Sequence, residues 1–227
     1  MKIEVRNLEK VFRTDSVQTV ALNNVDLTID DGSFVAIMGP SGCGKSTLLN
    51  ILGLLDNPTK GSYRLNGEEV GNLKERERTS WRKGRIGFIF QSFNLIEDMN
   101  IRDNIMLPLN NLNLSKEEKN RRVEETMRRM GISHRSRHYP SQLSGGQQQR
   151  AAIARAIVSR PGLILADEPT GNLDSTNGAE VMAILDELHS DGATIVMVTH
   201  SHKDATHAER IINLFDGQIV ENLNNLM

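Results

Sequence analysis

The chain carries two hydrophobic rhythms. Ile3-Glu4-Val5, Leu27-Thr28-Ile29 and Tyr63-Arg64-Leu65-Asn66-Gly67 alternate apolar and polar residues. Successive side chains on a strand face opposite ways, so this period predicts half-exposed antiparallel strands. Phe34-Val35-Ala36-Ile37-Met38, Leu163-Ile164-Leu165-Ala166 and Thr194-Ile195-Val196-Met197-Val198 are instead almost continuously apolar. Runs of that kind belong to strands covered on both faces, as in a parallel sheet flanked by helices.

From Ile101 to about Tyr139 the pattern turns helical. Ser115-Lys116-Glu117-Glu118 has capping-box spacing, Val123, Met127 and Met130 recur at helical intervals, and Gly131 stops the run. The stretch reads as a helical insertion in an α/β domain. No internal repeat, low-complexity tract or long linker appears, apart from a polar tail at Asn222 to Asn225. A chain of 227 residues suits one large domain with an inserted subdomain rather than two domains.

Composition narrows the class. A net charge of -2 with 25% charged and 38% hydrophobic residues excludes a disordered or polycationic chain and gives no sign of wholesale nucleic-acid binding. The single cysteine, Cys43, cannot form an internal disulfide, which points to a reducing compartment and a cytoplasmic protein. Met1-Lys2-Ile3-Glu4-Val5-Arg6 lacks the apolar core of a secretory signal, and no run of about 18 apolar residues is long enough to span a bilayer. A membrane role must therefore come through a partner.

The chemistry begins with Gly39-Pro40-Ser41-Gly42-Cys43-Gly44-Lys45-Ser46, set between an apolar strand and the apolar helix expected from Thr47 to Leu55. Glycines let the backbone curl so that its N–H groups face the β- and γ-phosphates of a nucleotide, together with the start of the helix at Thr47. Lys45 neutralises phosphate charge and the Ser46 hydroxyl can ligate Mg²⁺. Cys43 is either a tolerated small residue or a redox sensor. A second anion site is expected at Leu143-Ser144-Gly145-Gly146-Gln147, where a serine and two glycines open an Ala/Ile/Arg-rich helix and leave backbone N–H groups bare at its positive end.

The strand Leu163 to Ala166 ends on Asp167-Glu168-Pro169. Ligands collect at such strand ends, so Asp167 is suited to hold Mg²⁺ through its water shell and Glu168 to polarise a water attacking the γ-phosphate, with helix capping as the plainer alternative for Glu168. His200, at the end of the run Thr194 to Thr199, can hydrogen-bond the γ-phosphate or serve only structure; His202 and His207 read as surface residues. Gln91 follows Ile86-Gly87-Phe88-Ile89-Phe90 in a loop entering the insertion, and its long amide can reach Mg²⁺ or the attacking water. Phe12, in a chain with only 4% aromatic residues, either stacks on adenine or packs in the core. The mixed charges of Lys74 to Lys83 around Trp81, and of the helix with Arg121-Arg122 and Arg128-Arg129, favour solvated helix faces over a nucleic-acid patch.

Taken in order, Gly39 to Ser46, Gln91, Leu143 to Gln147, Leu163 to Glu168, Asn172-Leu173-Asp174 and His200 resemble the nucleotide-binding subunits of ABC transporters over nearly the whole chain. The resemblance implies a RecA-like P-loop NTPase core with an antiparallel β-subdomain (1–90 and 140–227) and an inserted α-helical subdomain (91–139). It implies ATP and Mg²⁺ as cofactors, and the roles of Walker A loop, Q-loop at Gln91, signature at Ser144, Gly145, Gly146 and Gln147, and Walker B with catalytic Glu168. The D-loop falls at Asp174 and the switch histidine at His200, while Phe12 stands where many members have tyrosine. Gly39-Pro40-Ser41-Gly42, Gln91-Ser92-Phe93-Asn94-Leu95-Ile96, Met106-Leu107-Pro108-Leu109 and Asp167 to Asp174 resemble the LolD/MacB/FtsE branch in particular.

That branch implies an ATP-dependent homodimer on the inner face of the cell membrane. Its partner would be an integral membrane permease with an extracytoplasmic domain, with a periplasmic adaptor in some members and no nucleic acid. The cargo class is lipoprotein, peptide, antibiotic or haem. Since the chain ends soon after Asn222, a stand-alone subunit is expected. Two other classes share the same motifs, an FtsE-like regulatory ATPase that transports nothing and a soluble ABC ATPase acting on DNA or ribosomes.

Overall fold

In the computed structural model, residues 1–13 and 17–220 are described; the tail Asn222 to Asn225, and with it the chain end behind the stand-alone reading, lies outside the described residues. The packing divides the chain into two compact units, Met1–Arg82 together with the chain from Leu188 onward, and Lys83–Glu187. The stretch 91–139 expected as a helical insertion falls inside the second unit, which also takes in strands on either side of it.

In the first unit, β1 (Ile3–Arg13), β2 (Gln18–Ile29), β4 (Lys60–Leu65) and β5 (Glu68–Glu69) form an antiparallel sheet in the order β2-β1-β4-β5. Ile3 lies opposite both Ile29 and Leu65, and Val5 opposite both Leu27 and Tyr63. The apolar rows of three strands thus share one face, and all six residues are buried. A slip of one residue would turn that whole row to solvent, which is what fixes the register.

The buried runs behave as their composition requires. β3 (Phe34–Met38) pairs in parallel with β8 (Thr194–Val198) and β9 (Arg210–Phe215), and β10 (Gln218–Val220) returns antiparallel on β9. Every residue of β3 and β8 is buried. The helix α1 (Lys45–Leu52) buries Leu48, Leu49, Ile51 and Leu52, each worth about 1.5–3 kcal/mol relative to exposure. The Tyr63 hydroxyl donates to the Leu52 carbonyl at 2.6 Å, and burial pushes the phenol well above its ordinary pKa. Two short helices complete the unit, α2 (Glu75–Arg82) and α7 (His202–Ala205). α2 buries no residue and pairs Glu75 with Arg78 and Arg82, the solvated face its alternating charges predict.

In the second unit β6 (Ile86–Phe90) and β7 (Leu163–Asp167) are parallel. Around them stand α3 (Ile101–Asn110), α4 (Lys116–Arg129), α5 (Gly145–Ile157) and most of α6 (Ser175–Ser190). Val123, Met127 and Met130 are buried as their spacing predicts, and Gly131 ends the helical path with φ 66°. At the start of α4 the Ser115 hydroxyl accepts from the Glu118 amide at 3.2 Å. The reciprocal half of that capping box does not form. The Glu118 carboxylate turns to Arg121 and Arg122, because charged partners one turn on are stronger than a backbone amide. Among the described residues no helix is long and apolar enough to cross a membrane.

Candidate functional site

The first unit brings together the phosphate loop, His200 and Phe12. β3 and β8 are parallel neighbours with Ile37 opposite Val198, so Gly39 and His200, each two residues further on, leave the sheet at the same end. The Thr199 amide donates to the Ile37 carbonyl at 3.2 Å, and its hydroxyl accepts from the Ser201 amide at 3.0 Å. This fixes the backbone on both sides of His200, whose side chain is exposed. His202 and His207 are exposed as well. Among the described residues no group of three or more His, Cys, Asp or Glu is placed to hold a metal ion.

The loop itself is shaped by Gly44, whose φ of 104° caps α1 in a left-handed conformation. A Cβ there would lie 2.4 Å from the Ala21 carbonyl oxygen on β2, so neither the conformation nor the space admits a side chain. α1 begins with no side-chain cap and no acidic residue in its first turn. Its first amides have no carbonyl of their own helix to reach, which leaves an end prepared for an anion. Lys45 folds back over the loop, its Nζ donating to the carbonyls of Gly39 and Pro40 at 2.8 Å each and lying 3.9 Å from Cys43 Sγ. Ser41, Gly42 and Ser46 are exposed, Thr47 is half-buried, and Cys43 is buried against the loop with its carbonyl held by the Gly217 amide.

Phe12 stands on β1 opposite Thr19 of β2, the strand that runs past Gly44 through Ala21. It is 46% exposed, which removes the core-packing alternative within this chain. Lys10 Nζ lies 5.0 Å from its ring centre, a cation–π contact that leaves ring surface open.

The second unit carries the acids, Gln91 and the glycine-opened helix. Phe90 of β6 is opposite Asp167 of β7, so Gln91 and Glu168 emerge side by side at one strand end. Glu168 has φ 46°, a left-handed backbone that costs a non-glycine residue about 1–3 kcal/mol. Its position directly before Pro169 restricts it further. A strained acid at the end of a buried strand is not a routine helix cap; α6 is capped instead by Asp174, whose carboxylate accepts from the amides of Thr176 and Asn177 and from the Asn177 side chain. Those bonds, that from the Asn177 amide first, hold the Asp174 carboxyl below its ordinary pKa. Gln91 Nε2 donates to Asn172 Oδ1 at 3.4 Å, and Asn172 Nδ2 donates to the Gln91 carbonyl at 3.0 Å.

α5 opens on a complete capping box. The Gln147 amide donates to Ser144 Oγ at 3.4 Å and the Ser144 amide to Gln147 Oε1 at 3.2 Å. The helix end is therefore less bare than the sequence alone predicts, since Ser144 satisfies one amide in its own chain. Gly145 and Gly146 still occupy the first turn, where no carbonyl of the helix is in reach. A Cβ on Gly146 would fall 1.9 Å from Asn177 Oδ1, so the glycine is required for close packing.

Sequence reasoning named the motif Asn172-Leu173-Asp174 but not the bond between Asn172 and Gln91. It passed over Gln149 and Arg155, the two long polar residues on the inner side of α5. Gln149 is fully buried and donates to the Pro169 carbonyl; Arg155 donates to the carbonyls of Phe93, at 2.8 Å, and Asn94. Burial lowers the Arg155 pKa. Phe93 and Asn94 have φ 61° and 51°, so the guanidinium holds a strained loop directly after Gln91. For Arg155 the available signal was an arginine interrupting the Ala/Ile run from Ala151 to Ile157; Gln149, third of three consecutive glutamines, carried none.

Comparisons with known proteins agree with this geometry. The ABC transporter family profile matches residues 22–171. An uncharacterized ABC transporter ATP-binding protein of Methanocaldococcus jannaschii is 49% identical over 98% of this chain and 99% of its own. The macrolide export ATP-binding/permease protein MacB of Rhodopseudomonas palustris is 48% identical over 96% of this chain, which spans only 33% of that relative. Among solved structures, the ATP-binding cassette MJ0796, dimeric in a post-hydrolysis state with ADP and Pi, superposes with a TM-score of 0.89 at 44% identity, over 97% of each chain.

Proposed function

The chain belongs to the ABC transporter family as an ATP-hydrolysing cassette, and from that premise we propose that two copies close head to tail around two ATP molecules to drive a membrane permease. In each composite site one copy supplies Gly39 to Thr47, with Lys45 and Ser46, and the other supplies Ser144, Gly145, Gly146 and Gln147. The observation that carries this reading is the paired design of the two helix ends: α1 begins uncapped beside a lysine, and α5 begins self-capped with two glycines. A relative that is dimeric with bound ADP and Pi supports a dimer with nucleotide bound.

Lys45 exchanges the Gly39 and Pro40 carbonyls for the β- and γ-phosphates, and the α1 amides take the remaining phosphate oxygens. Phe12 offers its open face to adenine. Ser46 and Asp167 provide a hydroxyl and a carboxylate, oxygen donors of the type Mg²⁺ takes, and a bound Mg²⁺ would neutralise charge on the phosphates. Glu168 accepts a proton from the attacking water, Gln91 orients that water, and His200 donates to the γ-phosphate oxygen. Asp174, close in sequence to this machinery, lines the facing copy. Loss of the γ-phosphate then releases Ser144 and His200 and opens the dimer.

The MacB relatives, whose names join ATP-binding and permease parts, support a membrane permease as partner, for which an extracytoplasmic domain is part of this proposal. The cassette would then act on the inner face of the cell membrane, with a periplasmic adaptor where the cargo requires one. Lipoprotein, peptide, antibiotic or haem extraction fits this branch. Replacing Glu168 by Gln should keep ATP binding, slow hydrolysis by at least about 100-fold and trap an ATP-bound dimer on gel filtration. A monomer under saturating ATP would remove the central step.

A further inference from the structure

Gln149 lies one helical turn inside α5, on the face shared by Gly145 and Gly146, because residues three and four apart line up on a helix. Its side chain is fully buried. Nε2 donates to the carbonyl of Pro169, while Oε1 is buried with no hydrogen-bond partner among the described residues. The amide cannot be turned over, since Oε1 would then face another oxygen. A buried acceptor left unsatisfied destabilises the fold, and an apolar side chain of equal size would remove it only by leaving the Pro169 carbonyl without this donor. A polar residue kept at such a cost points to a role other than packing.

The role follows from what the bond holds. Pro169 directly follows Glu168, whose left-handed backbone persists only if its surroundings fix it. One tie is local, from the Gly171 amide to the Glu168 carbonyl at 3.1 Å. Another reaches across twenty positions of chain, from Gln149 to the Pro169 carbonyl.

We propose that Gln149 is a positioning residue for hydrolysis: it fastens the turn carrying Glu168 to the helix whose first turn is Ser144-Gly145-Gly146. Any shift of α5 when Ser144 engages phosphate is thereby passed to Glu168 of the same chain. The inference builds on the reading of Glu168 as the group that accepts the water's proton.

The test is steady-state ATPase kinetics and thermal melting of full-length Gln149→Met and Gln149→Glu, beside Glu168→Gln. Gln149→Met should lower kcat by about tenfold, leave the KM for ATP within about twofold, and keep a single cooperative melting transition. In Gln149→Glu the introduced carboxyl repels the Pro169 carbonyl when ionised and donates to it when protonated. Its kcat relative to wild type should rise at least about threefold as pH falls from about 8 to 6. A wild-type kcat in Gln149→Met, or a flat ratio in Gln149→Glu, would overturn the role of Gln149. If Glu168→Gln itself turned over at the wild-type rate, the reading of Glu168 would fall first and take the inference with it.

Discussion

The N-termini of α1 and α5 both open on glycine-rich sequence, yet they are finished in opposite ways. α1 has a left-handed glycine at its cap, which offers no side chain for a cap bond, and a lysine whose charge is parked on loop carbonyls. α5 has a reciprocal Ser144–Gln147 box. A helix end with a glycine cap and its own cation suits an anion, and on the proposed reading ATP supplies it. A capped end is stable alone. It can wait for a phosphate brought by another molecule, which is the physical sense of a composite site.

Removing the cation should have the largest effect. Lys45→Ala should weaken ATP binding by at least about 100-fold in equilibrium titration, because the charge-assisted bonds to phosphate have no substitute in the loop. If affinity fell less than tenfold, the α1 amides would carry the site by themselves. Removing the cap should be milder and of another kind. Ser144→Ala should destabilise the fold by about 1 kcal/mol, or roughly 2–4 °C in melting midpoint, while leaving ATP affinity of the monomer unchanged.

The smallest effect concerns the neighbouring cap at Asp174. Its carboxyl is held below the ordinary value by the Asn177 and Thr176 bonds. A depressed folded-state pKa contributes stability above the unfolded value and loses it as pH falls through the folded one. Asp174→Asn should therefore lower stability slightly near neutrality and flatten a small part of the acid limb of the stability curve below about pH 4. An unchanged acid limb would mean the cap bonds carry no net energy.

The sheets were legible because burial writes itself into composition: a strand covered on both faces has to be apolar throughout, as β3 and β8 are. The place of the glycine loop between β3 and α1 was legible because a sharp entry into a helix needs glycine at set positions, and that of Asp167 and Glu168 because the apolar run ends directly on them, as β7 does. Bonds between segments distant in sequence were hidden. Nothing in the order of residues says that Asn172 holds Gln91 or that Arg155 reaches the carbonyls of Phe93 and Asn94; the box at Ser144, by contrast, has the spacing Ser-x-x-Gln that predicts it. Glu118 shows the converse case, where the spacing of a box is present and nearby arginines win the carboxylate.

The central claim is that Ser144, Gly145 and Gly146 serve a nucleotide held by another copy. Ser144→Arg tests it most directly, with ATP binding measured on dilute monomer and dimerisation by light scattering at saturating ATP. The account predicts monomer affinity within about twofold of wild type and no ATP-driven dimer. Equal loss of both would place the glycine-opened end of α5 in the same site as the chain's own phosphate loop, against the account.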